Sequence, residues 1–158
     1  MRLLVVSDSH GNESLLRRVV RQHREAEVII FLGDGAEEAE RVSRELPPEQ
    51  TLVAVRGNND WGAGFPETCQ LHLEGKRIFM AHGHTYRVKY GLKDFCDAAR
   101  SRQADVALFG HTHQSLTLYE DGLYLMNPGA LSYGRGGPSY GLVDLTPAGI
   151  VTWVQTLQ

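Results

Sequence analysis

The sequence predicts an α/β fold in a single domain. Over residues 1–57, short apolar runs rich in valine and isoleucine alternate with segments of helical periodicity, in the order β-α-β-α-β. From residue 68 onward, most apolar runs come in pairs joined by turn residues, which is typical of hairpins. With 158 residues, of which 42% are hydrophobic, the chain is long enough for one domain with a buried core.

The first part of the chain contains three predicted buried strands and two predicted helices. The strands are expected at residues 2–7, 27–33 and 51–57. The first helix follows Asn12, a good N-cap, and its apolar residues recur at helical spacing to about residue 25. The second helix spans residues 36–46 and is ended by Pro47 and Pro48. Because β-α-β crossovers are right-handed, this order predicts a parallel sheet.

The second part of the chain is richer in hairpins. A hairpin over residues 68–83 turns at Gly75, and its apolar second strand ends at His82. A helix near residues 91–101 is followed by a strand over residues 105–110. Two more hairpins are expected at residues 115–127 and 140–155, with a long glycine-rich loop at residues 127–139 between them.

Charge and cysteine content exclude several function classes. The formal net charge is -3, so no broad basic face is expected, and a nucleic-acid partner is unsupported although not excluded. The first ten residues, MRLLVVSDSH, carry only five apolar residues before Asp8, which is too short for a signal peptide or a membrane span. We therefore expect a cytoplasmic protein. Cys69 and Cys96 lie far apart and predict neither a zinc knuckle nor a disulfide framework.

Polar residues follow each predicted buried strand in the first two thirds of the chain. Such strand ends carry, in order, Asp8 and His10, Asp34, Asn58, His82, and His111 with His113. Ligands of open α/β sheets bind at the carboxyl ends of the strands, so these residues are expected to converge on one rim. Glycines accompany them and allow several strands to end close to one point.

Four histidines, two aspartates and an asparagine form a donor set for transition metals. The mixture of nitrogen and oxygen suits borderline divalent ions better than calcium or magnesium alone. Seven ligands are too many for one ion but fit two ions that share a carboxylate and lie roughly 3.5 to 4 Å apart. Such a pair activates water and favours an anionic substrate such as a phosphate ester.

The blocks DSHG, GDG, GNND, HGH and GHTH, in this order, resemble the five signature blocks of the calcineurin-like metallophosphoesterases. The resemblance spans roughly residues 3 to 145 and is strongest to the small bacterial and archaeal phosphodiesterase branch, to which the eukaryotic retromer subunit of the same fold is also similar. It implies one domain over residues 1–158, with a four-layer αββα sandwich of two mixed sheets.

The resemblance also implies roles for the metal-ligating residues. Asp8, His10 and His113 would hold the first ion, Asp34 would bridge, and Asn58, His82 and His111 would hold the second ion. Manganese is the usual metal of the small members, and Ni²⁺, iron, Zn²⁺ and Mg²⁺ are the alternatives.

Asn59 departs from the pattern of the broader family, in which a histidine at this place assists the leaving group. Asparagine cannot act as a general acid at neutral pH, so we expect hydrolysis of diesters with good leaving groups rather than of monoesters. His84 is a candidate to replace the missing proton donor or to contact phosphate. Arg135 is a candidate phosphate clamp in the glycine-rich loop, although a loop arginine is more often simply solvated.

The favoured function is that of a dinuclear metal phosphodiesterase in which a metal-bridging hydroxide attacks phosphorus. The alternatives are a non-catalytic protein-binding scaffold of the same fold, and a phosphomonoesterase or nuclease. The intact ligand set argues against the scaffold. A small-molecule phosphodiester is the expected substrate, and the residues leave open a cyclic nucleotide, a nucleic-acid end or a lipid head group. An exposed edge strand in the final hairpins could pair copies of the chain into a homodimer or higher oligomer.

Overall fold

Two mixed five-stranded sheets form the centre of the computed structural model, which describes residues 1–132 and 136–158. The first sheet contains β1 (Arg2–Val6), β2 (Val28–Phe31), β3 (Thr51–Ala54), β9 (Ser139–Thr146) and β10 (Gly149–Thr156). Its strand order is β10-β9-β1-β2-β3. β1, β2 and β3 are parallel, as the β-α-β-α-β order predicts, whereas β9 runs antiparallel to β1.

The second sheet is built from the middle of the chain. It contains β4 (Thr68–Leu73), β5 (Lys76–Ala81), β6 (Val106–Leu108), β7 (Leu116–Glu120) and β8 (Leu123–Asn127), in the order β4-β5-β6-β8-β7. β4–β5 and β7–β8 are the predicted hairpins, and β6 pairs in parallel with β5 and β8. β5, β6 and β8 therefore end at the same edge of this sheet.

Helices cover both outer faces of the two sheets. α1 (Glu13–Gln22) and α2 (Ala36–Ser43) pack on the first sheet, and α3 (Lys93–Ser101) packs on the second. Between the sheets lies an apolar layer in which residues of β1 and β2, such as Leu3, Val5 and Ile30, meet Met80 and Leu108 of β5 and β6. This arrangement is the predicted four-layer αββα sandwich.

Several predicted boundaries differ from the observed ones. α1 ends at Gln22 rather than near residue 25, because the His23 N–H bonds to Val20 O and the His23 ring turns toward Tyr140. α2 ends at Ser43, ahead of residue 46, since the chain tightens into turns before Pro47. β6 covers only three residues, and the chain then bends at Gly110 toward the candidate site. Among the described residues, the helices are all too short and too polar to cross a membrane.

Candidate metal centre

Seven polar side chains meet where strands of both sheets end. They belong to the loops after β1, β2, β3, β5 and β6, and they are the seven predicted from the sequence: Asp8, His10, Asp34, Asn58, His82, His111 and His113. The parallel strands of each sheet deliver their carboxyl ends to the same rim. The side chains form two adjacent groups.

The first group contains Asp8, His10 and His113. The Nε2 atoms of His10 and His113 lie 3.2 Å apart, and each is close to Asp8 Oδ1, at 3.4 Å for His10 and 3.1 Å for His113. Asp8 is fully buried, whereas the two histidines are partly exposed. The three ligand atoms therefore surround one point that is open to solvent on the histidine side.

The second group contains Asp34, His82 and His111, with Asn58 beside them. His82 Nε2 lies 3.3 Å from Asp34 Oδ2, 3.2 Å from His111 Nδ1 and 3.1 Å from Asn58 Oδ1. His82 Nδ1 donates to the backbone oxygen of Leu32 at 2.7 Å. Because that carbonyl can only accept, Nδ1 carries a proton, and Nε2 is the ring nitrogen that faces the other members of the group.

Asp34 lies between the two groups. Its Oδ2 atom is 3.3 Å from His82 Nε2 and 3.7 Å from His10 Nε2, while Asp8 Oδ1 is 3.9 Å from His82 Nε2. Donor atoms bound to one ion at about 2.1 Å and at right angles lie about 3 Å apart. The observed separations within each group match this spacing, so each group is spaced to hold a divalent ion, and Asp34 lies between the two candidate sites.

The backbone is unusual at five of these seven residues. Asp8, His10, Asp34, His111 and His113 have φ values of 54°, 41°, 59°, 68° and 58°. This left-handed region is uncommon for residues with a Cβ atom and costs about 1 kcal/mol or more for each. Each such residue reverses the chain locally after a strand and turns its side chain toward the rim.

Two glycines allow the loops to approach one another. Gly33 has a φ of 103°, and a Cβ atom there would lie 2.6 Å from the backbone nitrogen of Gly57 and 2.8 Å from His82 Nδ1. A Cβ atom on Gly110 would lie 2.1 Å from Ser7 Oγ and 2.8 Å from Asp8 Oδ2. Any larger side chain at either position would push strand ends apart, and with them the ligand atoms.

Both aspartates of the centre are held in the ionised form. Burial opposes the charge of Asp8, but hydrogen bonds with His10 and His113 outweigh it and hold the pKa of the carboxyl well below its usual range. Burial also opposes the charge of Asp34, and contacts with His82 and Asn59 lower its pKa to about 2. The two carboxylates therefore carry negative charge at neutral pH, as a cation site requires.

The histidines differ in their electrostatic surroundings. Burial opposes protonation of His82, yet its contact with Asp34 and the charge of Asp8 raise its pKa. Burial and the neighbouring His82 ring lower the pKa of His111 to about 4. His111 is therefore neutral at pH 7 and can offer a nitrogen lone pair to an ion.

Comparison with known proteins decides the family. A model of the calcineurin-like phosphoesterase superfamily domain matches residues 1–147. The chain belongs to this superfamily. This phosphoesterase is 33% identical over 135 residues to the probable metallophosphoesterase YsnB of Bacillus subtilis, covering 85% of this chain and 78% of the relative. It is 29% identical over 168 residues to the phosphodiesterase YfcE of Escherichia coli K12, covering 91% and 88%.

Solved structures share the fold of this phosphoesterase. A predicted phosphoesterase from Streptococcus pneumoniae matches with a TM-score of 0.76 at 23% identity, covering 98% of this chain and 97% of the other. Wild-type Vps29 from Entamoeba histolytica, in complex with Zn²⁺, matches with a TM-score of 0.76 at 20% identity, covering 98% of each chain. These findings confirm the predicted resemblance to small bacterial and archaeal metallophosphoesterases and, in fold, to Vps29. The prediction of a metal-dependent phosphoester hydrolase is confirmed at the level of the family.

Asn59 contacts the carboxylate that lies between the two groups. Its backbone N–H donates to Asp34 Oδ1 and its side-chain amide donates to Asp34 Oδ2, both at 2.9 Å. His84 begins a 3₁₀ turn, His84–Tyr86, and its ring centroid lies 5.4 Å from that of His82 and 6.1 Å from that of His111. Arg135, the predicted phosphate clamp, lies outside the described residues.

Two further residues organise the loops of this phosphoesterase. The Asp60 carboxylate accepts four backbone N–H groups, from Asp34, Gly35, Ala36 and Gly57, at 2.7 to 2.9 Å. Through Asp34, Asp60 supports the backbone of a candidate metal ligand. The buried Asn127 was not anticipated. Its amide donates to Gly110 O and Thr112 Oγ1, both at 2.9 Å. The only sequence signal for this supporting role is the position of Asn127 at the end of a strand.

Two cavities open beside the centre. The first, here called the α2 cavity, has a volume of about 740 Å³ and lies between α2 and residues 59–65, next to His10 and Asp34. The second, the His84 cavity, has a volume of about 390 Å³ and is lined by Asn58, His84 and the ion-paired Arg56. Trp61 lines both cavities. A substrate bound at the centre can therefore extend to either side.

Proposed function

We propose that this protein is a dinuclear metal-dependent phosphodiesterase that acts on small-molecule phosphodiesters. The observation that carries the proposal is the pair of adjacent ligand groups, Asp8–His10–His113 and Asp34–His82–His111, whose atoms in each group lie within 4.8 Å of one another. Relatives named as phosphodiesterases support the same reaction class.

The bound ions would supply the central chemistry. Two divalent ions held by these residues would supply a water of lowered pKa, suited to attack on phosphorus at neutral pH, and positive charge to stabilise the phosphate oxygens. The residues of the chain orient these ions. Asp34 would bridge, Asp8, His10 and His113 would hold one ion, and Asn58, His82 and His111 would hold the other. The mixed nitrogen and oxygen donors suit borderline divalent ions. The family resemblance favours manganese among them, with nickel, iron, zinc and magnesium as alternatives.

Asn59 and His84 bear on whether the leaving group is protonated or hydrogen-bonded during the reaction. The Asn59 amide donates to Asp34 Oδ2 and so orients that carboxylate, but it cannot protonate an alkoxide. Burial and His82 lower the pKa of His84, so its neutral imidazole can donate a hydrogen bond to a phosphate oxygen or leaving group from the His84 cavity. Diesters with good leaving groups are therefore the preferred substrates, and monoesters are poor ones.

The deciding experiment is hydrolysis of bis(p-nitrophenyl) phosphate by metal-stripped protein with manganese titrated back. Activity should rise with added metal and saturate, and Asp34→Asn should lower it by more than about 100-fold, because even partners of metal ligands contribute 10- to 100-fold. The matched control is Asp121→Asn, in the exposed β7–β8 turn, which should behave like wild type.

Metal stoichiometry gives a second readout that does not depend on activity. Calorimetry should detect two manganese ions per wild-type chain and weakened binding in Asp34→Asn and His111→Ala. A remetallated wild-type protein that binds two ions but hydrolyses no diester would favour the binding scaffold. Faster hydrolysis of p-nitrophenyl phosphate than of the diester would favour a monoesterase, and cleavage of polynucleotides would favour a nuclease.

A further inference from the structure

The α2 cavity contains an acidic side chain without a partner. Glu38 is only 6% exposed, and within residues 1–132 and 136–158 its carboxylate forms no hydrogen bond or ion pair. It lines the α2 cavity, and a Cβ atom on Gly11 would lie 3.9 Å from Glu38 Oε1, so the carboxylate lies beside the residue that follows His10. A buried carboxylate that faces a cavity without a partner is suited to a cationic ligand group.

The other charges of the cavity wall do not neutralise Glu38. Arg41 and His10 are the basic side chains among the described lining residues. Arg41 is already engaged by Glu13 at 2.7 Å and by Glu37 at 3.6 Å, and His10 lies 3.4 Å from Asp8. Glu40 also lines the cavity and pairs with Arg44 outside it. The wall therefore has an excess of negative charge, which disfavours an additional phosphate and favours a positive group.

An exposed aromatic side chain lines the same cavity. The Trp61 side chain is 91% exposed, although large apolar side chains are usually shielded. Trp61 lines the α2 cavity together with Glu38 and His10. Tryptophan is the best aromatic partner for ammonium and quaternary ammonium groups, whose charge is attracted to the face of the ring.

We propose that the α2 cavity binds the ammonium group of a zwitterionic phosphodiester, such as a choline or ethanolamine ester, while the phosphate lies at the metal centre. This inference rests on the proposed phosphodiesterase function, and it names the substrate class. The cavity shares His10 and Asp34 with the centre, so a short amino-alcohol esterified to the phosphate enters it directly. Glu38 supplies the charge, and Trp61 covers the ammonium group.

Binding can be tested on metal-free protein, independently of catalysis. The chain has two tryptophans, so NMR distinguishes the indole N–H of Trp61 at the cavity from that of Trp153 on β10, at the far edge of the first sheet. Choline should shift the Trp61 signal and leave the Trp153 signal unchanged. The neutral isostere 3,3-dimethyl-1-butanol should bind about tenfold more weakly, since it lacks the charge.

Glu38→Gln keeps the shape of the side chain and removes its charge. This variant should weaken choline binding by about three- to tenfold, whereas Glu49→Gln, an exposed carboxylate just before β3, should leave it unchanged. Equal shifts with choline and its neutral isostere would overturn the ammonium site, because they would indicate an apolar pocket. The absence of any Trp61 shift with choline would also overturn it.

Catalysis provides the second arm of the test. The manganese-loaded protein should hydrolyse p-nitrophenyl phosphorylcholine with a kcat/KM about tenfold above that for p-nitrophenyl 3,3-dimethylbutyl phosphate. Trp61→Leu and Glu38→Gln should each bring this ratio toward one. A ratio of one in wild type, together with normal hydrolysis of bis(p-nitrophenyl) phosphate, would overturn the ammonium site and leave the phosphodiesterase intact. Hydrolysis of none of these diesters would instead refute the phosphodiesterase.

Discussion

Replacing Asp60 with asparagine should loosen the loops that carry the candidate metal ligands. Asp60 Oδ2 accepts the backbone N–H groups of Asp34 at 2.8 Å and Gly57 at 2.7 Å, while Oδ1 accepts those of Gly35 and Ala36 at 2.9 Å. These four bonds join the loop after β2, the start of α2 and the loop after β3. One carboxylate therefore holds three segments together and caps a helix that has no other side-chain cap.

The cost of Asp60→Asn follows from this geometry. Asparagine keeps one acceptor oxygen and turns an NH₂ group toward the two remaining N–H donors. Two hydrogen bonds to a charged acceptor are lost, at about 1.5 kcal/mol each, so unfolding should become easier by about 3 kcal/mol. Because the loops also position Asp34, manganese affinity should fall by about tenfold or more.

Urea unfolding of the metal-free proteins measures the first effect, and calorimetric titration with manganese measures the second. Asp121→Asn, at an exposed turn position that asparagine tolerates, is the matched control and should unfold like wild type. An unfolding midpoint for Asp60→Asn equal to that of the control would refute the idea that Asp60 organises these loops. Unchanged manganese affinity in a destabilised variant would restrict the role of Asp60 to folding.

Three other predictions concern the stability of the same fold and are tested by denaturant unfolding. Gly33→Ala and Gly122→Ala both place a Cβ atom at positive φ, but only the Cβ atom at Gly33 would lie 2.6 Å from backbone. The free energy of unfolding of Gly33→Ala should therefore fall by at least about 2 kcal/mol more than that of Gly122→Ala. Equal losses would contradict the close approach. Asn127→Ala should cost about 2 to 3 kcal/mol, because it leaves the Gly129 N–H unpaired and removes the side-chain bond to Gly110 O. A near-neutral result would count against this. Asp144→Asn should cost about 1 kcal/mol at pH 7. Hydrogen bonds from Arg2 lower the pKa of Asp144, so its contribution is present above the unfolded pKa of about 3.9 and is lost as pH falls through the folded value. A difference that does not shrink as pH falls below about 3.9 would refute this origin.

The sequence is sufficient to predict which residues reach the candidate site, because each of them follows an apolar run. The alternation of buried strands and loops is local information, and parallel strands necessarily deliver their carboxyl ends to one edge. The second sheet is a harder case. Residue patterns identify its hairpins, but its separation from the first sheet depends on which faces pack together, and here only the family resemblance predicted it.

The supporting contacts of the site could not be predicted, because they join residues that are distant along the chain. Asp60 reaches the backbone of Asp34 across 26 positions, and His82 reaches Leu32 across 50. Glu38 lies among charged residues of α2, yet the fold buries it against the α2 cavity. Such contacts can be predicted only when the relative positions of the strands and loops in the fold are known.

The two histidine-containing blocks show why spacing alone does not assign ligands. Asp8 and His10 are two residues apart, as are His111 and His113, and all four have left-handed φ values. Asp8 and His10 nevertheless lie in the same group, whereas His111 and His113 divide between the two groups.

The difference arises from the position of each strand in the sandwich. β1 and its loop contribute both ligands from one side, whereas the loop after β6 passes between the groups, with the His111 N–H bonded to Asp8 Oδ2 and the His111 ring turned to His82. Left-handed backbone at these residues is unfavourable locally. It persists because tertiary hydrogen bonds, such as Asp8 N–H to Gly33 O at 2.9 Å, fix each loop independently of its own preference. The geometry of the centre is therefore a property of the two sheets together, and any substitution that separates the strand ends should disturb both groups at once.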